Sequence, residues 1–154
     1  MKLNVDASFH MDEGAGAIAA VLRDSNGNFL AAQCRFIPYA ADVVTTEAMA
    51  MRNGLIFANS LGFSRVEAES DSLTVIDYCT GQTRWWDAAA MIFADCVDVS
   101  SSIGKVKFKH CIRSCNQAAH VLASYSYCNK ISSTWMDEAP AYLVLELVNN
   151  AIPI

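Results

Sequence analysis

The amino-terminal third of the chain has the two-residue periodicity of β-strands. Apolar and polar residues alternate over positions 3–9, and Asp6 lies in the middle of the polar row. Residues 15–23 form a second, apolar stretch, and the Asn- and Gly-containing segment 24–28 predicts a hairpin turn into a third strand, 29–36. The pattern therefore predicts an antiparallel meander of three strands.

After Pro38 the periodicity changes from strand to helix. Met51 and Leu55 follow Glu47 at intervals of four and eight residues, and Gly62 is a suitable helix terminator. Glu47 therefore heads the apolar stripe of a helix and is expected to fall within its first turn. An acid in that position departs from the pattern of the stripe.

The remainder of the chain alternates between shorter strands and helices. Asp71 follows a predicted strand, 65–70, at the end where α/β sheets gather their ligands. The later predicted elements are a helix at 72–80, a helix at 87–101, a strand with Val106, Phe108 and His110 on one face and three lysines on the other, an alanine-rich helix from residue 114 or 115 to about 127, a polar connection at 131–138 that carries Trp135, and an amphipathic segment at 141–148. This order predicts an α/β fold with a mixed five-stranded sheet, in which three antiparallel strands precede two parallel ones and helices cover both faces.

The length of 154 residues fits a single domain over residues 1–154, with a core at about 1–128 and a carboxyl-terminal extension with a short helix at 129–154. A chain of this size folds without a structural metal, so a bound metal is expected to be functional. A domain cut from a larger protein is equally compatible with the sequence. No apolar run reaches the ~20 residues of a membrane span, and no membrane partner is expected.

The six cysteines are scattered through predicted strands and helices instead of framing loops. This distribution favours free thiols in an intracellular reducing compartment, with the cytoplasm and the nucleus as the most compatible locations. Cys111 and Cys115 lie near His110 and His120, and a zinc site made of these four residues is an alternative. The paired CxxC spacing of common zinc sites is missing from this segment, so zinc is the weaker interpretation.

The formal net charge of −5 argues against a large basic surface for nucleic acid. Any such binding is expected to be local, weak and sensitive to salt. Lys105, Lys107, Lys109 and Arg113 are candidates for phosphate contacts. Alternating lysines are also what an exposed strand uses to resist pairing at its edge, so both interpretations stay open.

Asp6, Glu47 and Asp71 are three acids in stretches that are otherwise typical of a buried interior. A carboxylate taken out of water without a counter-charge costs several kcal/mol or takes up a proton. Three of them directed at one place imply a bound cation and suggest a divalent-metal nuclease. Each acid also has a structural explanation: a bond to a neighbouring amide for Asp6, the helix dipole for Glu47 and a helix cap for Asp71.

A series of short motifs runs through most of the chain, at 4–8 (NVDAS), 19–24 with Gly27, 47–52 (EAMAMR), 69–72 (ESDS), 108–110 (FKH), Arg113 and 116–123 (NQAAHVLA). In its order and spacing, this series resembles the ribonuclease H fold. The resemblance is specifically to the ribonuclease H-like domain common in plant proteins and plant retroelements.

The resemblance implies an active site in which four acidic residues hold two divalent cations. Asp6 would bridge the cations, Glu47 would help to hold the one on the leaving-group side, and Asp71 the one on the nucleophile side. The fourth family position, an aspartate four residues after Asn116, carries His120 in this chain. Oxygen ligands make Mg²⁺ the expected metal, with Mn²⁺ possible, and the imidazole of His120 suits Mn²⁺ better than Mg²⁺.

The resemblance also gives His110 the position of an assisting catalytic histidine, which would hand a proton to the departing 3′ oxygen or assist product release. The residue alternates with Phe108 and Val106 on an apolar row. A packed histidine bonded to the backbone is therefore the alternative to a catalytic one.

The expected function is cleavage of the RNA strand of RNA:DNA hybrids by a divalent-metal-dependent endoribonuclease. Weak affinity for the hybrid is expected, because a short connection with Arg84, Trp85 and Trp86 stands where some family members have a basic protrusion. These tryptophans either stack on a sugar or base or pack on the core. The alternative function is a catalytically impaired domain that binds nucleic acid or another protein, as one module of a larger plant protein. His120 and the acidic net charge favour this alternative.

Overall fold

The computed structural model describes residues 1–83 and 88–151, so Arg84, Trp85 and Trp86 lie outside the described residues. Within those ranges the backbone forms six strands and five α-helices, together with a 3₁₀ turn at Arg113–Cys115. The strands are β1 (Lys2–His10), β2 (Ala15–Arg23), β3 (Phe29–Ile37), β4 (Arg65–Ser70), β5 (Lys105–His110) and β6 (Ser133–Met136). The helices are α1 (Val43–Ser60), α2 (Leu73–Cys79), α3 (Ala88–Ile103), α4 (Gln117–Asn129) and α5 (Ala141–Ala151). Of these helices in the described ranges, none has the length and apolar character needed to cross a membrane.

The strands form one mixed sheet in the order β5-β4-β1-β2-β3-β6. Strands β1, β2 and β3 pair in antiparallel fashion, β4 lies parallel to β1, and β5 lies parallel to β4. The predicted arrangement of three antiparallel strands followed by two parallel ones is therefore confirmed. Because parallel strands end on the same side, β1 and β4 bring Asp6 and Asp71 to one edge of the sheet.

The prediction of five strands is wrong by one, because the polar connection expected at 131–138 contains β6. This strand has only four residues and pairs antiparallel with β3, Ala31 opposite Met136 and Cys34 opposite Ser133. Four residues are too short for a clear periodic signal, and the strand forms because β3 offers unpaired backbone groups. Trp135 of β6 packs against a cluster of buried side chains beneath it.

Each face of the sheet has its own hydrophobic core, which confirms the prediction of helices on both faces. On one face, α1 packs over β1 and β2 and α3 packs against α1 and β5, with Leu3, Met51 and Leu55 fully buried. On the other face, α4 lies on β1, β2 and β3, and α5 packs against α4 through the fully buried Leu143. Side chains alternate between faces along a strand, so β1 sends Leu3 to the α1 side and its even-numbered polar row to the α4 side.

The close approach of α1 to β1 depends on Gly54. A Cβ atom at this position would lie 2.6 Å from Cγ1 of Val5, a distance that real Cβ contacts do not reach. The missing side chain lets the helix lie directly on the strand, and it fixes the height of Glu47 relative to Asp6.

Candidate active site

Asp6 lies on the α4 side of β1, with only 3% of its surface exposed. Its Oδ2 is 2.9 Å from Nδ1 of His120, which α4 carries one turn after Asn116. The structural explanation of Asp6 was a hydrogen bond to a neighbouring amide, and the structure contains such a bond, from the backbone of Ala7. The contact with His120 comes from the opposite end of the chain and depends on the packing of α4 against β1.

Glu47 reaches the same region from α1. The helix begins at Val43 with Asp42 as its N-cap, whose side chain accepts a hydrogen bond from the backbone N of Thr45 at 2.7 Å. Glu47 is thus the fifth helical residue, and the prediction that it lies in the first turn is wrong, because the helix starts earlier, at Val43, than its apolar stripe suggested. The helix dipole does not account for this acid, since the effect fades beyond the first turn.

Asp71 follows β4 directly but does not cap the next helix. Ser72 is the N-cap of α2, with its Oγ accepting from the backbone N of Val75 at 3.4 Å. The helix-cap explanation of Asp71 is therefore wrong. Its carboxylate instead accepts a hydrogen bond from Nδ2 of Asn116, 3.3 Å from Oδ1.

Two of the three carboxylates, those of Glu47 and Asp6, have raised pKa values. Burial raises the pKa of Glu47 to about 9, and the negative charges of Asp6 and Asp71 add to this rise. Burial also raises the pKa of Asp6 to about 6, with a further contribution from the charge of Asp71. Oε2 of Glu47 is buried and has no hydrogen-bond partner. The charge of Arg113 lowers the pKa of Glu47 and the contact with His120 lowers that of Asp6, but burial and the neighbouring acids outweigh both effects.

His120 stands between Asp6 and Arg113. A guanidinium nitrogen of Arg113 is 3.4 Å from the same Nδ1 that lies 2.9 Å from Asp6. A ring nitrogen of histidine either donates or accepts a hydrogen bond but does not do both. Because an ionised carboxylate only accepts, the ring nitrogen that bonds to it must carry a proton. The shorter contact therefore assigns the Nδ1 proton to the bond with Asp6.

His110 lies at the exposed end of β5, where its Nε2 is 3.2 Å from the backbone oxygen of Asp71. Of the alternative, a packed histidine bonded to the backbone, the backbone bond is present, but the packing is wrong, because β5 is the last strand of the sheet and His110 is exposed at its end. The residue lies beside Asp71 and reaches its backbone oxygen and not its carboxylate, so a catalytic role for His110 stays a prediction.

A groove of about 390 Å³ opens beside these acids. Two residues that line this groove, His10 and Tyr127, were not identified by the sequence prediction. Their rings stack with centroids 3.6 Å apart. His10 also lies 3.0 Å from Oγ of Ser8 through Nε2. The signal was weak, since these residues come from the end of a strand and from the last turns of α4. Glu47, Arg113 and His120 line the same groove.

The sequence matches the family described as Reverse transcriptase-like over residues 4–126. The chain belongs to this family. Among curated proteins no sequence matches it.

Solved structures show a closely similar fold. RNase H1 of the halophilic archaeon Halobacterium salinarum is 21% identical with a TM-score of 0.78, over 84% of this chain and 98% of that one. The N-terminal RNase H domain of a Mycobacterium tuberculosis protein is 18% identical with a TM-score of 0.77, over 83% and 93%. LC11-RNase H1 in complex with an RNA/DNA hybrid is 19% identical with a TM-score of 0.76, over 84% and 96%. The chain therefore has a ribonuclease H-like fold.

Below the acidic site, this ribonuclease H-like domain has a buried polar network that the sequence prediction missed. Asn4 donates to Oε2 of Glu69 at 3.0 Å and to Oδ1 of Asn116 at 3.2 Å, and it accepts from Arg23 at 2.7 Å. Lys2 approaches the other oxygen of Glu69 at 3.1 Å. The sequence signal for this network was the polar residue at every second position of β1. The partners of Asn4, however, lie 19 to 112 residues away along the chain. Asn116 links this network to Asp71.

The ligand atoms of the acidic site have the chemistry that a hard divalent cation prefers, but they do not form a complete coordination site. Among residues 1–83 and 88–151, no three His, Cys, Asp or Glu side chains form a group ready to hold a metal, and this includes the four residues considered for zinc. The fit lies in the carboxylate oxygens, in the unpartnered Oε2 of Glu47 and in the raised pKa values of Asp6 and Glu47, because hard cations prefer oxygen ligands and a nearby positive charge favours the ionised acids. His120 competes with any such cation for Oδ2 of Asp6.

Proposed function

We propose that this domain is a divalent-cation-dependent endoribonuclease that cleaves the RNA strand of RNA:DNA hybrids. The observation that carries the proposal is the mutual repulsion of Asp6, Glu47 and Asp71, together with the unpartnered Oε2 of Glu47. Buried like charges are retained in proteins mainly where a function needs them. Membership of the Reverse transcriptase-like family and the hybrid bound to LC11-RNase H1 support the choice of substrate.

The three carboxylates would hold Mg²⁺, or Mn²⁺ in its place, because both prefer oxygen ligands. A divalent cation supplies a bound water of lowered pKa and neutralises charge on the phosphate. Asp6, Glu47 and Asp71 would be the residues that hold it. His120 would orient Asp6 through Nδ1 or turn toward the cation, and His110 would serve the departing oxygen beside Asp71.

Cleavage of a labelled RNA:DNA hybrid tests this function directly. Wild type, Asp6→Asn, His120→Asp and the exposed-surface control Asp98→Asn would be compared in Mg²⁺ and in Mn²⁺. Metal-dependent cleavage that survives in Asp98→Asn and is lost in Asp6→Asn, by on the order of a hundredfold or more, supports the enzyme. We expect Mn²⁺ to serve at least as well as Mg²⁺, since His120 offers nitrogen where relatives of this type offer a carboxylate.

One observation favours a second candidate function, a catalytically impaired domain that binds nucleic acid or protein within a larger chain related to plant retroelements. His120 already satisfies Asp6, which gives the site an internal partner in place of a cation. Cleavage that appears only in His120→Asp would identify such an impaired domain. Complete inactivity of both wild type and His120→Asp would reject the hydrolase in favour of a binding role.

A further inference from the structure

The sheet face that carries Asp6 and Asp71 also carries a strip of cations below them. Residues paired side by side in neighbouring strands share a face, and this pairing aligns Arg65 with Lys105, and Glu67 with Lys107. Lys2 of β1 pairs with Glu67 of β4. Two residues further along the strands, Asn4, Glu69 and Lys109 lie side by side. We call this set the basic strip. Its members are Lys2, Arg65, Lys105, Lys107 and Lys109, with Glu67 and Glu69 among them.

The basic strip opposes the charge of the rest of the molecule. Five cations and two carboxylates leave it with an excess of three positive charges, whereas the whole chain has a formal net charge of −5. Glu69 is buried and already bound by Asn4 and Lys2. Burial acts to raise the pKa of Glu67, but the charge of Lys109, with those of Lys2 and Lys107, outweighs it and the pKa is lowered. The surface potential here is therefore positive.

Three cations of the strip have no anion of their own. Lys109 lies 3.6 Å from Glu67, and Lys2 lies 3.1 Å from Glu69. Arg65, Lys105 and Lys107 are exposed and form no ion pair with any residue in the described ranges. They line a shallow depression of about 160 Å³, with Glu67 as its one acid among the described lining residues.

Protection of the sheet edge does not explain the whole strip. Lysines on an edge strand discourage pairing with other chains, and β5 is such an edge. Arg65 and Lys2 belong to β4 and β1, which are paired on both sides. These interior strands have no edge to protect, yet they contribute cations to the same face.

We propose that the basic strip is a docking surface for the phosphodiester backbone of the nucleic-acid substrate outside the acidic groove. Successive cations along β5 stand about 6.6 Å apart and lead toward the row that holds Asp6 and Asp71. The strip thereby offers the local phosphate contacts that an acidic domain needs beside a site rich in carboxylates. The inference rests on the proposed function for its choice of nucleic acid, but it concerns binding and not cleavage.

The test is the affinity of the whole chain for a fluorescent RNA:DNA hybrid, measured by anisotropy in EDTA at several salt concentrations. The variant Lys105→Gln/Lys107→Gln is expected to bind on the order of tenfold more weakly at low salt. Each lost phosphate contact lowers the magnitude of the slope of log K against log salt by about one. The slope of the double variant should therefore be smaller in magnitude by about two.

The matched control is Arg35→Gln/Lys130→Gln, which removes the same charge from exposed positions away from the strip. This control should keep wild-type affinity and slope. Equal effects in the two double variants, or no effect in either, would overturn the proposal. So would competition by polyglutamate as strong as that by the hybrid, because the strip would then recognise any polyanion. Loss of solubility in Lys105→Gln/Lys107→Gln with unchanged affinity would also overturn it, in favour of edge protection.

Binding and cleavage can fail separately in this design. A domain that binds the hybrid through the strip but never cleaves it, in Mg²⁺ or Mn²⁺, refutes the hydrolase and leaves the strip standing. A domain that cleaves with an unchanged salt slope in the strip variant refutes the strip alone.

Discussion

Two polar clusters lie next to each other around β1 and β4, and they differ in whether the protein neutralises their acids. In the buried network, Glu69 has Asn4 and Lys2 as partners, and Arg23 contributes a further positive charge. In the acidic site, Glu47 has an oxygen with no partner, and its charge opposes those of Asp6 and Asp71. The first cluster stabilises the fold, whereas the second keeps a repulsion between carboxylates that an external cation would reduce.

The comparison predicts its largest effect for removal of Glu69. Glu69→Ala would leave the guanidinium of Arg23, only 4% exposed, without its nearby anion. The expected loss is about 3–5 kcal/mol in the free energy of unfolding, as for other broken buried pairs. Urea denaturation of Glu69→Ala and of Glu67→Ala would measure it, since Glu67 lies two residues away on the more exposed part of the same face. Similar losses in both variants would remove the distinction between the clusters.

Glu47→Gln should act in the opposite direction and stabilise the fold. The raised pKa of Glu47, about 9, means that the folded state keeps a proton that the unfolded state releases near pH 4.5. Stability is therefore lost progressively as the pH rises from about 4.5 through 9. Removing the acid should add on the order of 1–2 kcal/mol at pH 8 and almost nothing at pH 4.

Urea denaturation at pH 4, 6 and 8 would follow this pH dependence, with the exposed Glu138→Gln as the control. A gain that does not change with pH would show that the Gln side chain stabilises by packing and not by loss of charge.

A divalent cation should produce a smaller stabilisation of the wild type at pH 8. Binding at about ten times the dissociation constant adds about 1.4 kcal/mol, which is a rise of a few degrees in Tm. Mg²⁺ and Mn²⁺ should each raise the Tm of the wild type, and Glu47→Gln should show much less of this rise. If NaCl at equal ionic strength has the same effect, the cation is screening charge and not occupying the acidic site.

The smallest effect is expected for His120→Ala. The side chain of His120 is 29% exposed, so loss of its pair with Asp6 should cost less than about 1 kcal/mol. His120→Asp should cost more in EDTA, because it adds a fourth carboxylate, and should recover in Mn²⁺. Thermal melts of both variants with and without Mn²⁺ would check this, and equal stability of the two in EDTA would contradict the account of repulsion.

The strand pattern predicted much of this arrangement. Alternation over residues 3–9 placed Asp6 on the polar row of β1, and helical spacing placed Glu47 on the buried side of α1. The bounds of β2 and β4 agree with the predicted ranges. These successes share a cause, since a long amphipathic element carries its orientation in its own periodicity.

The failures concern contacts between elements that are distant in the chain. Strand β6 depends on the backbone of β3, and the start of α4 at Gln117 depends on a 3₁₀ turn before it. Nothing in the local pattern distinguishes Asn116 from any other polar residue near a helix start. Its bonds to the backbone of Val5 and to Asp71 exist only after the sheet has formed.

The sequence by itself determined the order of the elements other than β6 and the face on which Asp6 and Glu47 would lie, and its resemblance to a known family implied that His120 stands in place of a carboxylate. Tertiary structure alone decided that His120 bonds to Asp6, that Glu69 is neutralised while Glu47 is not, and that basic residues from three strands share one face. The physical reason is that periodicity is a property of neighbours along the chain. Charge pairing depends on distances in space, and packing sets those distances.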